Sequence, residues 1–430
     1  MTDNNAEIIL EAEGAETAPP KQYSLGEKLL LPISLLIAIL FDRLIFANAI
    51  GRFDARPAAV FWLCYIVIFY LFYRERLKRD KVAHFVAICA AALCLWHFIF
   101  PEGNWQFASI TWLVIPSVLM AHAQWSAGAY TLENSEGMVI AWLLGWIIKP
   151  FSGLFALFGA GNSLLSAGNK SVVKRVLAGV CVTSFLMLIV IPLLMSADQV
   201  FNYYLRQIFS GGIDLFIFTK HAIWTSLAFG LFYSFLWNVG YGENKKHSIP
   251  SAWSIDNIIS SIVMGSVMLV YVLFCLIQFT YLFAGAGLPA GMTYSEYARE
   301  GFAQTVVVCA INLLIFGVFL RFGTKDKLTT ALLGGLLALT GVMLFSGAVR
   351  LNLYIGAYGM TWLRLLSTWF IIYLAVVIAL CTVRLFYKKQ LPVAALCALL
   401  LLLWYVALGY LNPDSFIAWY NYDLRAIALS

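Results

Sequence analysis

Apolar residues in this chain come in long unbroken runs, not in the short rhythms of helices and strands that turn one face to water. The runs fall near 29–50, 57–73, 82–100, 107–123, 172–196, 215–239, 257–283, 301–321, 328–347, 362–383 and 391–410. A helix crossing the hydrocarbon core of a bilayer needs about 20 apolar residues, and each run approaches or exceeds that length. The pattern predicts an all-α, polytopic transmembrane bundle of about 11 spans (10–12), with no soluble domain.

A twelfth apolar stretch, 138–160, is interrupted by Lys149-Pro150. Proline removes a helical hydrogen bond and its ring clashes with the preceding turn. Two half-spans, a re-entrant segment or an interfacial hairpin fit this stretch better than one straight span. Three regions follow: an acidic tail over 1–27, expected to be disordered and cytoplasmic; a membrane domain over 28–410; and an outer-face interfacial helix and tail over 411–430. In the last, Asn412 suits a helix cap and Pro413 the first helical position. Phe416, Trp419 and Tyr420 then suit the headgroup layer.

Composition strengthens the membrane reading. Of 430 residues 62% are hydrophobic and only 12% charged, with a mean hydropathy of +0.84. A soluble domain carries about 25% charged residues. The net charge of +6 resides in short loops between runs, so it does not indicate nucleic-acid binding. The first twenty residues hold five acidic groups and end in Pro-Pro, unlike the positive start of a signal peptide.

Orientation follows from lysine and arginine in the short loops. With the N-terminus cytoplasmic, the C-terminus outside and 138–160 not crossing, 18 basic residues face inward and 8 outward, with Arg43 and Lys149 uncounted.

That topology gathers ionisable groups on the outer face. Asp42 and Arg43 close the first run, and Arg206 lies in "FNYYLRQ". "GMTYSEYAREGF" brings Glu296, Arg299 and Glu300, "VRLNLYIGAYGMTWLRL" brings Arg350, Tyr354 and Arg364, and the C-terminal stretch brings Asp414. Each has a plain structural reading. Thr293 and Glu296 have the spacing of a capping box, the tyrosines suit an aromatic belt, and Asp42 and Arg43 could snorkel to the interface. The functional reading makes the ten residues one polar cavity for an anionic or zwitterionic ligand. In it the arginines pair with Asp42, Asp214, Glu296, Glu300, Asp414 or Asp423.

No motif points to a cofactor or a metal. The eight cysteines, Cys89 and Cys94 among them, contain no CxxC pair. His84 and His97 are thirteen apart on one run, a spacing that suits two haem ligands, but His122, His221 and His247 do not supply the second pair. "GAGNSLLSAGNKS" is neither a P-loop nor a dinucleotide fingerprint, and neither HExxH nor a Ser-His-Asp arrangement is present.

Taken together, "TYSEYAREGF", "RLNLYIGAYGMTWLR" and "NPDSFIAWYN" resemble the bacterial membrane family known as domain of unknown function 4173, related to 4153, over roughly 200–430. The resemblance implies a multi-pass topology, a bacterial cytoplasmic membrane and a shared set of polar stretches, and no activity. Three functions compete: a transporter-like protein, a non-catalytic sensor or assembly subunit, and an outer-leaflet enzyme on an envelope or lipid-linked substrate. The enzyme is the least favoured. The bilayer is the one expected partner, with any small-molecule or protein partner unidentified.

Overall fold

The computed structural model describes residues 23–47, 54–74, 80–100, 103–132, 137–165, 193–208, 215–242, 254–282, 294–324, 326–387 and 391–429, with three isolated positions between 186 and 190. Its helices, in chain order, are α1 (Leu25–Phe41, continued by a π-helical turn, Asp42–Phe46), α2 (Arg56–Tyr73), α3 (Lys81–Ile99), α4 (Trp105–Ser126), α5 (Met138–Ile147), α6 (Lys149–Ser152), α7 (Leu154–Leu165), α8 (Gln199–Ile208), α9 (Leu215–Gly240), α10 (Asn257–Leu282), α11 (Tyr294–Phe322), α12 (Lys327–Tyr358), α13 (Trp362–Phe386), α14 (Val393–Tyr410) and α15 (Pro413–Leu429). Among the described residues ten helices are long and apolar enough to cross a membrane, and the α5–α7 pair, bent by 46° at its break, makes up to eleven. The protein is an all-α, multi-pass integral membrane protein.

The ten helices overlie ten of the eleven apolar runs. The run at 172–196 lies largely outside the described residues. The break at Lys149-Pro150 is present, as a broken span or a re-entrant loop. Two boundaries differ from expectation. α1 starts at Leu25, inside the segment assigned to the acidic tail, because Ser24 and Glu27 form a capping box. α12 runs on to Tyr358, eleven residues beyond the apolar run, so Arg350 and Tyr354 lie on a helix. At 1.5 Å per residue its 32 residues extend about 48 Å, well past a hydrocarbon core of about 30 Å.

The chain divides into two compact units. The first comprises residues 1–53 and 146–243. Here α1 and α9 run antiparallel, joined by polar contacts at both ends. At one end Trp237 Nε1 donates to Glu27 Oε1 at 2.9 Å, and at the other His221 meets Asp42. The broken segment is held by α9: Ser234 Oγ and Asn238 Nδ2 donate to the Lys149 carbonyl at 3.0 and 2.8 Å, while Gly153 N donates to Ser234 Oγ at 2.8 Å. Backbone freed by a helix break inside a membrane requires such partners. A Cβ at Gly153 would stand 2.8–2.9 Å from Ser234 and Asn238 atoms, so only glycine lets the two segments approach this closely.

The second unit comprises 54–145 and 244–430. Its core clusters join α10 to α13 through Met264, Phe316, Leu333 and Val377, and α3, α4, α5 and α14 through Ala83, Trp125, Ala141 and Ala395. Its two ends are well defined. At one, Trp125 Nε1 donates to Asp80 at 2.7 Å and Asn257 Nδ2 to Asp326 at 2.8 Å. At the other, Asn104 Nδ2 donates to Asp414 at 3.0 Å and Met360 N to Asn421 Oδ1 at 2.7 Å.

Asp326 caps α12 by accepting from Thr329 N at 3.2 Å. Hydrogen bonds from Thr329 and Asn257 hold its carboxyl well below the usual carboxylate range. A carboxyl lowered by folding adds stability above its unfolded pKa of about 3.9, and that stability is lost as pH falls through the folded value. In thermal melts of purified protein, Asp326→Asn is expected to lower the midpoint by a few degrees from neutral pH down to about pH 4. The gap to wild type should narrow only in stronger acid.

Candidate functional site

The deepest ionisable cluster is built on the π-helical turn. In this turn the Ala47 amide bonds to the Asp42 carbonyl, five residues back, at 2.8 Å. Such turns are frequent at functional sites. Asp42 is 3% exposed, and both of its carboxylate oxygens face Nδ1 of His221 on α9, at 2.7 and 2.9 Å. In this contact the carboxylate accepts and Nδ1 donates. Arg43 lies 3.9 Å from the same carboxylate with its side chain 73% exposed. Phe46, at the end of the turn, stands edge-on to His221 at 5.9 Å and packs on Trp224 at 4.9 Å. Lys220 Nζ sits over the Phe46 ring at 5.2 Å. A carboxylate, an imidazole and two further cations thus meet at the end of an apolar span.

The other candidate residues divide into local contacts. In the second unit Arg364 stacks on the Tyr354 ring at 4.1 Å and donates to the carbonyls of Tyr358 (3.0 Å) and Gly359. These lie where α12 ends in its left-handed Gly359 (φ 77°). Arg364 is therefore a C-terminal cap that satisfies carbonyls the helix leaves open. Arg350 is buried and donates to Thr305 Oγ1 at 3.2 Å. Asp414 accepts from Asn104. Tyr354 and Arg364 are thus brought together, while Arg350 and Asp414 have partners of their own. Glu296, Arg299 and Glu300 lie on the first turns of α11, and Arg206 lies on α8. Thr293 and Asp214 lie outside the described residues. The expected pairing of an outer arginine with Asp42 holds for Arg43 at long range only. The principal partner of Asp42 is a histidine.

Sequence reasoning missed that histidine, although an ionisable residue inside an apolar run is itself a signal. It also missed a polar chain in the second unit. Tyr70 OH lies 2.9 Å from His84 Nδ1 and 3.2 Å from His122 Nε2, and Ser126 Oγ lies 3.4 Å from the same His122 nitrogen. Nearer the opposite end, Tyr271 OH donates to Asn312 Oδ1 at 2.6 Å, and Asn312 Nδ2 donates to Thr340 at 2.9 Å. No group of three or more His, Cys, Asp or Glu among the described residues is placed to hold a metal ion. The seven described cysteines are free thiols. Outside the spans, the Arg56 guanidinium beside Asp54 holds that carboxyl below its ordinary value.

The second unit also contains a cavity of about 930 Å³. Its wall is formed by α4 from Ile110 to Trp125, with Trp142 of α5, Phe370 of α13, and Leu402, Trp404 and Tyr405 of α14.

A membrane-embedded helical bundle with buried polar pairs between spans is the class these features define. The chain matches the family model described as "Domain of unknown function (DUF4153)" over residues 86–428, and it belongs to that family. The match starts well before residue 200, where the resemblance in the polar stretches begins, and it is to 4153 and not to 4173. No curated protein matches, and no solved structure matches.

The Asp42–His221 contact has a measurable energy. A hydrogen bond to a charged group is worth about 1.5–3 kcal/mol. His221 is partly exposed, which sets the expectation at about 2 kcal/mol. Asp42→Asn and His221→Gln should each destabilise by that order. The double variant should lose less than the sum, with a coupling of about 1–3 kcal/mol in a double-mutant cycle read by unfolding in detergent.

Proposed function

We propose that this protein is a transporter-like carrier of the bacterial cytoplasmic membrane, with its N-terminus cytoplasmic and its C-terminus outside. The Asp42–His221 pair is the working polar centre on the extracytoplasmic side. The orientation is supported by the distribution of basic residues. The end of the second unit marked by Asp80 and Asp326 carries Arg74, Lys81, Arg321, Lys327 and Arg384. The opposite end carries Arg56, Arg350 and Arg364. Lysine and arginine concentrate on the cytoplasmic side of membrane proteins.

The observation that carries the reading is a carboxylate buried in a span and bonded through both oxygens to a histidine of another span. Intramembrane ionisable pairs of this kind mark proton and substrate pathways. Arg43 stands beside the same carboxylate, so an anionic solute entering the site meets a cation next to the pair. The broken α5–α7 segment is the second supporting feature, since discontinuous helices line the sites of many transporters.

Flux of small organic and inorganic anions into proteoliposomes, driven by a pH gradient, tests the reading. Wild-type protein should carry at least one anion of the panel with a rate that depends on the gradient. Asp42→Asn and His221→Gln should reduce that rate by more than about tenfold, the effect of removing about 1.4 kcal/mol or more of stabilisation at the pair. Folded wild-type protein without flux, or an Asp42→Asn variant with wild-type flux and pH dependence, overturns the reading.

A further inference from the structure

The cavity of the second unit has a wall of unusual chemistry. Six of its polar side chains place their polar atom against the protein. Trp125 Nε1 donates to Asp80 at 2.7 Å, Trp142 Nε1 to the Ser117 carbonyl at 3.0 Å, and Trp404 Nε1 to the Trp369 carbonyl at 2.7 Å. Tyr130 OH donates to the Ala121 carbonyl at 2.9 Å. Tyr405 OH pairs with Thr111 Oγ1 at 2.8 Å, and Ser117 Oγ donates to the Leu113 carbonyl at 2.9 Å. These aromatic rings turn their carbon edges and faces inward, beside Val118, Leu402 and Phe370. A sugar, nucleotide or phosphate would find few free donors along this wall, and an apolar cavity does not hold water.

Size narrows the occupant further. On α4 the wall extends from Ile110 to Trp125, about 22 Å at 1.5 Å per residue. Along that length the cavity presents hydrocarbon to whatever lies in it. Its length is most of a hydrocarbon core about 30 Å thick.

We propose that this cavity is a binding site for the acyl chains of a membrane phospholipid, held lengthwise between α4, α5, α13 and α14. The site is independent of the Asp42–His221 pair, so it stands or falls apart from the transport reading. Its specificity lies in chain length and bulk, because the wall supplies shape and little charge. The lipid takes the place of side chains that the bundle lacks at its centre. Ala121 and Ala398 are the small residues that keep the space open.

The test uses full-length protein in vesicles that contain a phosphatidylethanolamine with a photoactivatable group near the middle of one acyl chain. After crosslinking and digestion, label is expected on peptides containing Val118 and Leu402, and it should persist when annular lipid is exchanged for detergent before illumination. Ala121→Phe with Ala398→Phe should fill the space and reduce that persistent label several-fold, leaving the detergent-sensitive label at outward-facing Leu403 unchanged. Should the double variant fail to fold, Ala398→Phe alone is read in the same way, and native mass spectrometry of wild type should show one phospholipid retained after delipidation. Persistent label unaffected in a folded, filled variant, no retained phospholipid, retention of a quinone instead, or crosslinks to a second protein chain would each overturn the proposal.

Discussion

A polar atom inside a bilayer has no water to fall back on, and this constraint shapes the polar pairs that join the described spans. The fold answers it by joining distant spans. Glu27 and Asp42, at the two ends of α1, both find partners on α9, at Trp237 and His221. Where the chain breaks at Lys149, the freed backbone bonds to Ser234 and Asn238 of the same helix. In the second unit His84, Tyr70 and His122 bond to one another across three helices, and Asn312 joins Tyr271 to Thr340. Helices that share hydrocarbon surfaces on all sides have little reason to choose one neighbour over another. Polar contacts that are satisfied in only one arrangement supply that choice.

The same constraint, applied in reverse, shapes the cavity. Its aromatic residues carry hydroxyl and indole groups, and those groups bond to backbone carbonyls or to neighbouring side chains of the protein. Trp369 and Trp404 do so reciprocally, each donating to the other's carbonyl at 3.1 and 2.7 Å. The result is a rigid frame between α13 and α14 with a hydrocarbon lining. Polarity is thus used for assembly in one place and reserved for chemistry in another, at Asp42.

Much of the architecture was readable from the chain. A run of about 20 apolar residues has few alternatives to a membrane helix, and ten of the eleven runs became one. Lys149-Pro150 marked a break because proline's effect is local. The candidate site was less legible. Asp42 stood out as a charge inside an apolar run, but its partner lies 179 residues away, and hydropathy carries no record of which spans touch. Arg350 and Tyr354 fall beyond their apolar run, yet α12 continues through them, and polar side chains suit a helix that projects into the headgroup layer. Arg364 looked like a ligand-binding cation, yet it closes the end of that helix, a role set by Gly359 five residues earlier. Composition cannot separate a cation that reaches outward from one that bonds to its own backbone.

The π-helical turn at Asp42–Phe46 has a consequence for how this chain tolerates change. A turn closed across five residues holds one residue more than the hydrogen-bond ladder before it, so it behaves as an insertion absorbed without lengthening the helix elsewhere. Residues on its N-terminal side keep the faces they present to α9, while Phe46 is rotated by roughly 100° relative to an uninterrupted α-helix, the angle of one residue. Deleting any single residue of the turn would restore a smooth helix, and it would also swing the aromatic ring away from His221. The span would remain as hydrophobic and nearly as long, so no measure of membrane insertion would register the loss. Homologous chains that differ here by one residue are thus expected to share the topology of this one and to differ in what the end of the first span can do.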